Sequence, residues 1–183
     1  AYQVAATSLI RFTTVAPDRT TLAFFNGTTV DATRDDFDLV PLPDGGAVIL
    51  YTSTAGAGGW TKLWMSRVDS AGAFTQQGIL VLDASTGTGI VPTIVASAGI
   101  LRPKGYLDED GNVQIVMEVQ LDPAAGSPIH GTAEALVWTK IDADGVLLSQ
   151  PVRLTDPGDW LRQPVVRNAS VQYRDGRTYI TAT

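Results

Sequence analysis

Met65-Ser66-Arg67-Val68-Asp69-Ser70-Ala71-Gly72-Ala73-Phe74 and Trp138-Thr139-Lys140-Ile141-Asp142-Ala143-Asp144-Gly145-Val146-Leu147 align without a gap at an offset of 73, and this match decides the fold. It keeps Asp69 over Asp142 and Gly72 over Gly145, and runs on through Gln77 over Gln150 to Asp83 over Asp156. Asp-x-x-Gly between two alternating runs is turn chemistry: the aspartate accepts nearby backbone N–H groups, and the glycine adopts a positive φ at little steric cost. Each copy therefore reads as strand, tight turn, strand.

A second series accompanies the first. Asp-Gly pairs stand at 44–45, 110–111 and 175–176, spaced by 66 and 65 positions. Each opens a short run rich in β-branched and aromatic residues: Ala47-Val48-Ile49-Leu50-Tyr51, Val113-Gln114-Ile115-Val116-Met117-Glu118-Val119, and Thr178-Tyr179-Ile180-Thr181. An Asp-Gly turn leading into such a run is a hairpin signal. The longer second offset is explained by a longer loop at about 121–132 in the second copy.

Combined, the two series define a unit of strand, Asp-Gly turn, strand, variable loop, strand, Asp-x-x-Gly turn, strand. Four antiparallel strands in a unit of this length match a β-propeller blade. Full units are expected at about 37–83 and 105–156, with half units at 165–183 and 2–29, in a single β-repeat domain spanning 1–183. The fold class is all-β with antiparallel four-stranded repeat units resembling propeller blades; the alternative packing is a β-sandwich. With 18 Gly and 10 Pro in 183 residues, almost no helix is expected.

The two half units would join into one, giving three blades, whereas propeller rings need roughly four to eight. The expectation is therefore a homo-oligomer that completes a ring between subunits, or terminal strands that pair with other assembly proteins. A strand ending at Thr183 without a cap invites such pairing.

Composition narrows the function classes. The chain carries 13 Lys and Arg against 19 Asp and Glu, a net charge of −6, with no basic run. Phosphate backbones and anionic membranes are poor partners for it. The absence of cysteine removes disulfides, thiol nucleophiles and thiolate ligands. No apolar run approaches the ~20 residues that cross a bilayer. The stretch Ala1-Tyr2-Gln3-Val4-Ala5-Ala6-Thr7 lacks the basic and apolar regions of a secretory signal, so use without the signal-peptide route is expected. A virion or extracellular assembly is the favoured location.

Side chains able to carry chemistry are few. Asp108-Glu109-Asp110-Gly111-Asn112 and Asp142-Ala143-Asp144-Gly145 look like calcium loops, but neither has a glutamate at the twelfth position. They read as hairpin turns, and no metal site is expected. The glutamates are Glu109, Glu118 and Glu134; Glu118 interrupts an apolar strand and is expected to face solvent in an alternating strand. His130, the sole histidine, lies in the loop Ser127-Pro128-Ile129-His130-Gly131 and cannot alone make a zinc site.

Trp138 over Met65 marks a packing position between units. Trp60 follows the flexible Ala55-Gly56-Ala57-Gly58-Gly59, and Trp160 follows Pro157-Gly158-Asp159. Trp60, Trp160 and His130 are the candidate ligand or partner contacts, because an exposed indole stacks on a sugar ring or anchors an interface. Asn26-Gly27-Thr28 and Asn168-Ala169-Ser170 match the glycosylation sequon.

The repeat resembles the blades of sialidase-like β-propellers, in which Asp-Gly turns recur once per blade, over about two-thirds of the chain. The resemblance implies architecture alone. The family's Ser-x-Asp-x-Gly-x-x-Trp box is not reproduced: Ser66-Arg67-Val68-Asp69-Ser70-Ala71-Gly72 and Thr139-Lys140-Ile141-Asp142-Ala143-Asp144-Gly145 share its residue types at altered spacing. The family's arginine triad and tyrosine nucleophile have no counterparts that the sequence identifies. No catalytic group and no cofactor are expected. The function expected is a non-enzymatic, self-associating structural or attachment module, for example in a bacteriophage particle. A carbohydrate-binding propeller formed by oligomerisation is the alternative, and a glycosidase-type fragment stands third.

Overall fold

The computed structural model describes residues 2–4, 9–15, 21–27, 37–53, 62–83, 99–121, 133–154 and 170–181. Among these every regular element is a β-strand, and every pairing is antiparallel. Sheet I joins β1 (Tyr2–Val4), β2 (Leu9–Val15) and β3 (Thr21–Gly27) in that order. Sheet II holds β4 (Phe37–Pro41), β5 (Ala47–Ser53), β6 (Lys62–Val68) and β7 (Phe74–Asp83). Sheet III holds β8 (Gly99–Leu107), β9 (Val113–Leu121), β10 (Ala133–Ile141) and β11 (Leu147–Arg153). A hairpin of β12 (Ser170–Arg174) and β13 (Arg177–Thr181) follows.

Local turn chemistry explains the meanders. The loops 42–46, 69–73, 108–112 and 142–146 share one geometry: the first residue's N–H donates to the fifth carbonyl, and the fourth residue, always glycine, donates back to the first. Those glycines have φ between 81° and 84°, the left-handed position of a type I turn closed by a bulge. Asp142 Oδ1 accepts from the Asp144 and Val146 amides at 2.9 and 2.8 Å, and Asp108 Oδ1 from Asp110 and Asn112 at 3.1 and 2.9 Å. The loops read as hairpin turns are hairpin turns. The third Asp-Gly pair differs in form, since Asp175 and Gly176 both have positive φ (53° and 71°) in a two-residue turn.

Sheets II and III pack face to face. Val40, Val48, Leu50, Leu63, Met65 and Leu82 of one meet Ile100, Val113, Ile115, Met117, Val119, Val137 and Ile141 of the other in one buried cluster. Strand β8 crosses β4 and β5 so closely that a Cβ on Gly105 would lie 2.5 Å from Val40 Cγ2 and 2.6 Å from Leu50 Cδ1. The Gly105 amide donates to Asp38 Oδ2 at 2.8 Å. On the far face of sheet III, Val116, Leu136 and Trp138 pack against Val171 and Ile180 of the C-terminal hairpin.

Strands β9 and β10 of sheet III are thus covered on both faces, where a two-layer sandwich would leave one in water. Successive units stack, with β8 against β4 and β12 against β8. Antiparallel four-stranded sheets arranged this way are compatible with propeller-like blades.

Two local readings change. Strand β8 begins at Gly99, ahead of residue 105. A bulge between Leu101 and Lys104 in its first half absorbs Pro103, with Arg102 at φ 43°. Glu118, expected at a solvent-facing position, is fully buried because both faces of β9 are covered.

Candidate functional site

All the short described turns fall at one end of the sheets, because they join strand ends that the antiparallel registers bring together there. At that end an open cleft of about 350 Å³ is lined by Asp44, Arg67, Asp69, Thr75, Gln76 and Asp144. Arg67 donates to Asp44 Oδ2 at 3.0 Å, and Gln76 Nε2 to Asp144 Oδ1 at 3.0 Å, linking a turn of sheet III to sheet II. The Asp44 carboxyl is held below the usual range, first by the Gly46 amide and, against the opposing effect of burial, by its hydrogen bond and charge pairing with Arg67. These carboxylates serve the turns and one surface ion pair, a kind that contributes little stability. Among the described residues no group of three or more His, Cys, Asp or Glu is placed to hold a metal ion.

A denser polar network lies between sheet III and the C-terminal hairpin. Gln114 Oε1 accepts from Tyr106 Oη at 2.7 Å and from Trp138 Nε1 at 2.9 Å, while Gln114 Nε2 donates to Asp108 Oδ2 at 3.0 Å. Lys140 Nζ lies 2.7 Å from the same Asp108 oxygen. The Tyr106 hydroxyl also bonds to Thr178 of β13, and its ring stacks on Tyr173 of β12 at 5.4 Å and 17°. Burial raises the Tyr106 hydroxyl above its ordinary value. Burial alone would also raise Asp108, but bonds from Lys140, Gln114 and the Asn112 amide outweigh it and hold the carboxyl low. Farther along the same β8–β9 pair, Arg102 grips the buried Glu118 carboxylate through both Nε and Nη2. This network fastens the hairpin to the sheet.

The fastening covers only part of the face. Strand β11 is the outer edge of sheet III, and Leu148, Gln150, Val152 and Leu154 are exposed while Leu147, Ser149, Pro151 and Arg153 are wholly or partly covered. Val146, Leu148, Val152 and Leu154 are 59, 51, 47 and 45% exposed, an apolar row along one edge strand. Val152 pairs with Trp138 and so lies on the side that the hairpin packs against. Pro151 has no N–H to offer, which blunts the strand's free edge but leaves its face bare.

Of the contacts expected from sequence, Trp60, Trp160 and His130 fall in segments 54–61, 155–169 and 122–132, outside the described residues. The strand ends that bound these segments, such as Ser53 with Lys62 and Leu121 with Ala133, lie at the sheet end opposite the short turns. Met65 and Trp138 are packing residues on successive units, Met65 in the sheet II–III core and Trp138 against the hairpin. Trp64 lies half-buried beside Phe37 and Phe74, with the Lys62 ammonium 5.9 Å from its ring centroid. The exposed apolar residues along β11 are the feature that sequence reasoning missed; their signal is the recurrence of Val146, Leu148, Val152 and Leu154 at even positions around Gln150.

Fold and surface together define an all-β protein of stacked antiparallel four-stranded sheets, with apolar side chains exposed along the β11 edge. Comparison with known protein families, with curated proteins and with solved structures found no match. Among the described residues no helix is long and apolar enough to cross a membrane.

Proposed function

We propose that this chain is a non-enzymatic, self-associating structural or attachment module in a surface assembly such as a bacteriophage particle. One observation carries the reading: the C-terminal hairpin packs on β9 and β10 but leaves Leu148 and Val152 of β11 exposed. Exposed apolar side chains along a sheet edge favour a protein–protein contact. The resemblance of the Asp-Gly repeat to sialidase-like blades implies no activity. Glu118, the glutamate that interrupts the apolar strand β9, is buried and held by Arg102, which suits a structural role.

Sedimentation equilibrium of the full chain over a range of micromolar concentrations tests the reading. Association above the mass of one 19.4 kDa chain is expected. A strict monomer throughout that range overturns it. Binding on a glycan array that disappears in Trp60→Ala would instead support the carbohydrate-binding alternative.

A further inference from the structure

Four Asp-Gly pairs stand in described turns: Asp44-Gly45, Asp110-Gly111, Asp144-Gly145 and Asp175-Gly176. An aspartate followed by glycine can cyclise. The glycine nitrogen attacks the aspartate Cγ, a C–N bond forms, and one water leaves to give a succinimide. Water then opens the ring at either carbonyl, restoring aspartate or leaving an isoaspartate whose main chain runs through the side-chain carboxyl carbon. The water lost is regained, and nothing is oxidised or reduced. The step needs a carboxyl free to turn, a glycine nitrogen free to be reached, and a backbone that rotates between them.

Three of the four pairs lack at least one of these. Asp44 accepts from the Gly46 amide at 2.8 Å and from Arg67 at 3.0 Å, one bond to each carboxylate oxygen. Asp144 accepts from Gln76 of sheet II at 3.0 Å, and a Cβ on Gly145 would press against Ile79 and Met65. The Gly45, Gly111 and Gly145 amides donate to the carbonyls of Leu42, Asp108 and Asp142 at 3.0, 3.1 and 3.1 Å. Asp110 is open, its side chain 81% exposed with Lys140 at 3.9 Å, so its restraint lies in the tied glycine alone.

The β12–β13 tip carries none of these restraints. The Asp175 side chain is 82% exposed and meets only its exposed neighbour Arg174, at 3.3 Å. A Cβ on Gly176 would meet nothing within 4 Å. The turn is two residues long, too short for the bond that ties the other three glycine amides. Asp175 sits at φ 53°, a left-handed conformation that a side chain disfavours. Every residue of the hairpin is at least partly exposed, and such a segment opens locally at low cost.

We infer that Asp175-Gly176 is a site of spontaneous isoaspartate formation, preferred over the other three pairs. The product adds one carbon to the main chain of a turn that sets Arg174 opposite Arg177 and Thr178 against Tyr106. Turn length fixes hairpin register, so the change loosens the hairpin from sheet III.

The test ages the full folded chain at neutral pH and physiological temperature, and in parallel the same chain unfolded in guanidinium chloride. Isoaspartate is then mapped by enzymatic methylation with an isoaspartyl methyltransferase and peptide mass spectrometry. Each site's folded rate is divided by its own unfolded rate, so that effects of the flanking sequence cancel. The ratio is expected to be highest at Asp175, lower at Asp110 and lowest at Asp44 and Asp144. Equal ratios at the four sites, a higher ratio at another pair, or no isoaspartate at Asp175 overturns the inference. Hydrogen exchange of the separated isomer is expected to quicken over 170–181 while 113–119 stays protected. Unchanged exchange at 170–181 overturns the loosening of the hairpin.

Discussion

Val152 pairs with Trp138 across the β10–β11 ladder, yet the C-terminal hairpin packs on Trp138 and leaves Val152 47% exposed. Two neighbours on one side of a sheet thus sit in different solvents, and their substitutions should separate. Ile180→Ala, which removes hairpin packing on Trp138, is expected to cost about 1–2 kcal/mol, below the range for fully buried sites because Ile180 is partly covered. Val152→Ala should stay within about 0.5 kcal/mol in dilute protein. Urea unfolding at low concentration measures both, and an equal cost at the two sites would mean that the hairpin does not cover the face unevenly.

Gly111 and Gly145 share one backbone conformation, with φ of 81° and 84°, but a Cβ on Gly111 meets nothing within 4 Å, while one on Gly145 meets Ile79 and Met65. Gly111→Ala should cost only the left-handed backbone penalty, about 1–2 kcal/mol. Gly145→Ala should cost about 1 kcal/mol more, since the added methyl presses into a packed contact between units. Thermal unfolding of the pair reads the difference directly. Equal melting temperatures would argue against contact between the β10–β11 turn and sheet II.

The hairpins were legible because their chemistry is local. Strands β6 and β10 end at Val68 and Ile141, and β7 and β11 begin at Phe74 and Leu147, the same 73-residue offset that the sequence alignment carries. Glu118 was not legible in this way. Alternation along β9 tells which side a residue takes, but not whether that side is covered; the cover comes from β12 and β13, far downstream. The unit expected from residue 105 misses the first half of β8, where a proline at 103 would interrupt a regular ladder and a bulge preserves the strand. The β11 row has the same ambiguity in reverse, since Leu148, Val152 and Leu154 read equally well as core. For Trp60, Trp160 and His130, outside the described residues, the reading remains that of the sequence.

Arg102 and Glu118 form an asymmetric pair, with the carboxylate fully buried and the guanidinium one-third exposed. Removing the cation leaves a charge in the interior, which is costlier than replacing both groups with apolar ones. Arg102→Ala is expected to destabilise by about 2 kcal/mol, below the usual range for buried pairs because the arginine reaches water. Arg102→Met with Glu118→Leu should recover most of that loss. A double-mutant cycle in guanidinium chloride checks it; a double variant less stable than Arg102→Ala would show that Glu118 is needed for more than its own charge.

The pairing of Asp108 with Lys140 predicts a pH dependence at both ends of the scale. Asp108 is held below the ordinary carboxylate value near ~3.9, so its contribution to stability is present above that pH and is lost as pH falls through the lower folded-state value. Lys140 is raised, chiefly by its hydrogen bond to Asp108. Its contribution is present below the ordinary lysine value near ~10.4 and is lost as pH rises through the higher folded-state value. Lys140→Met should therefore lower the melting temperature on the neutral plateau and flatten both limbs, because Asp108 then loses its strongest partner and titrates closer to its unfolded value. Melting curves from pH 2 to 11 compare the two chains. Parallel profiles, offset by a constant, would show that Lys140 stabilises the fold by packing its alkyl stem rather than through the carboxylate.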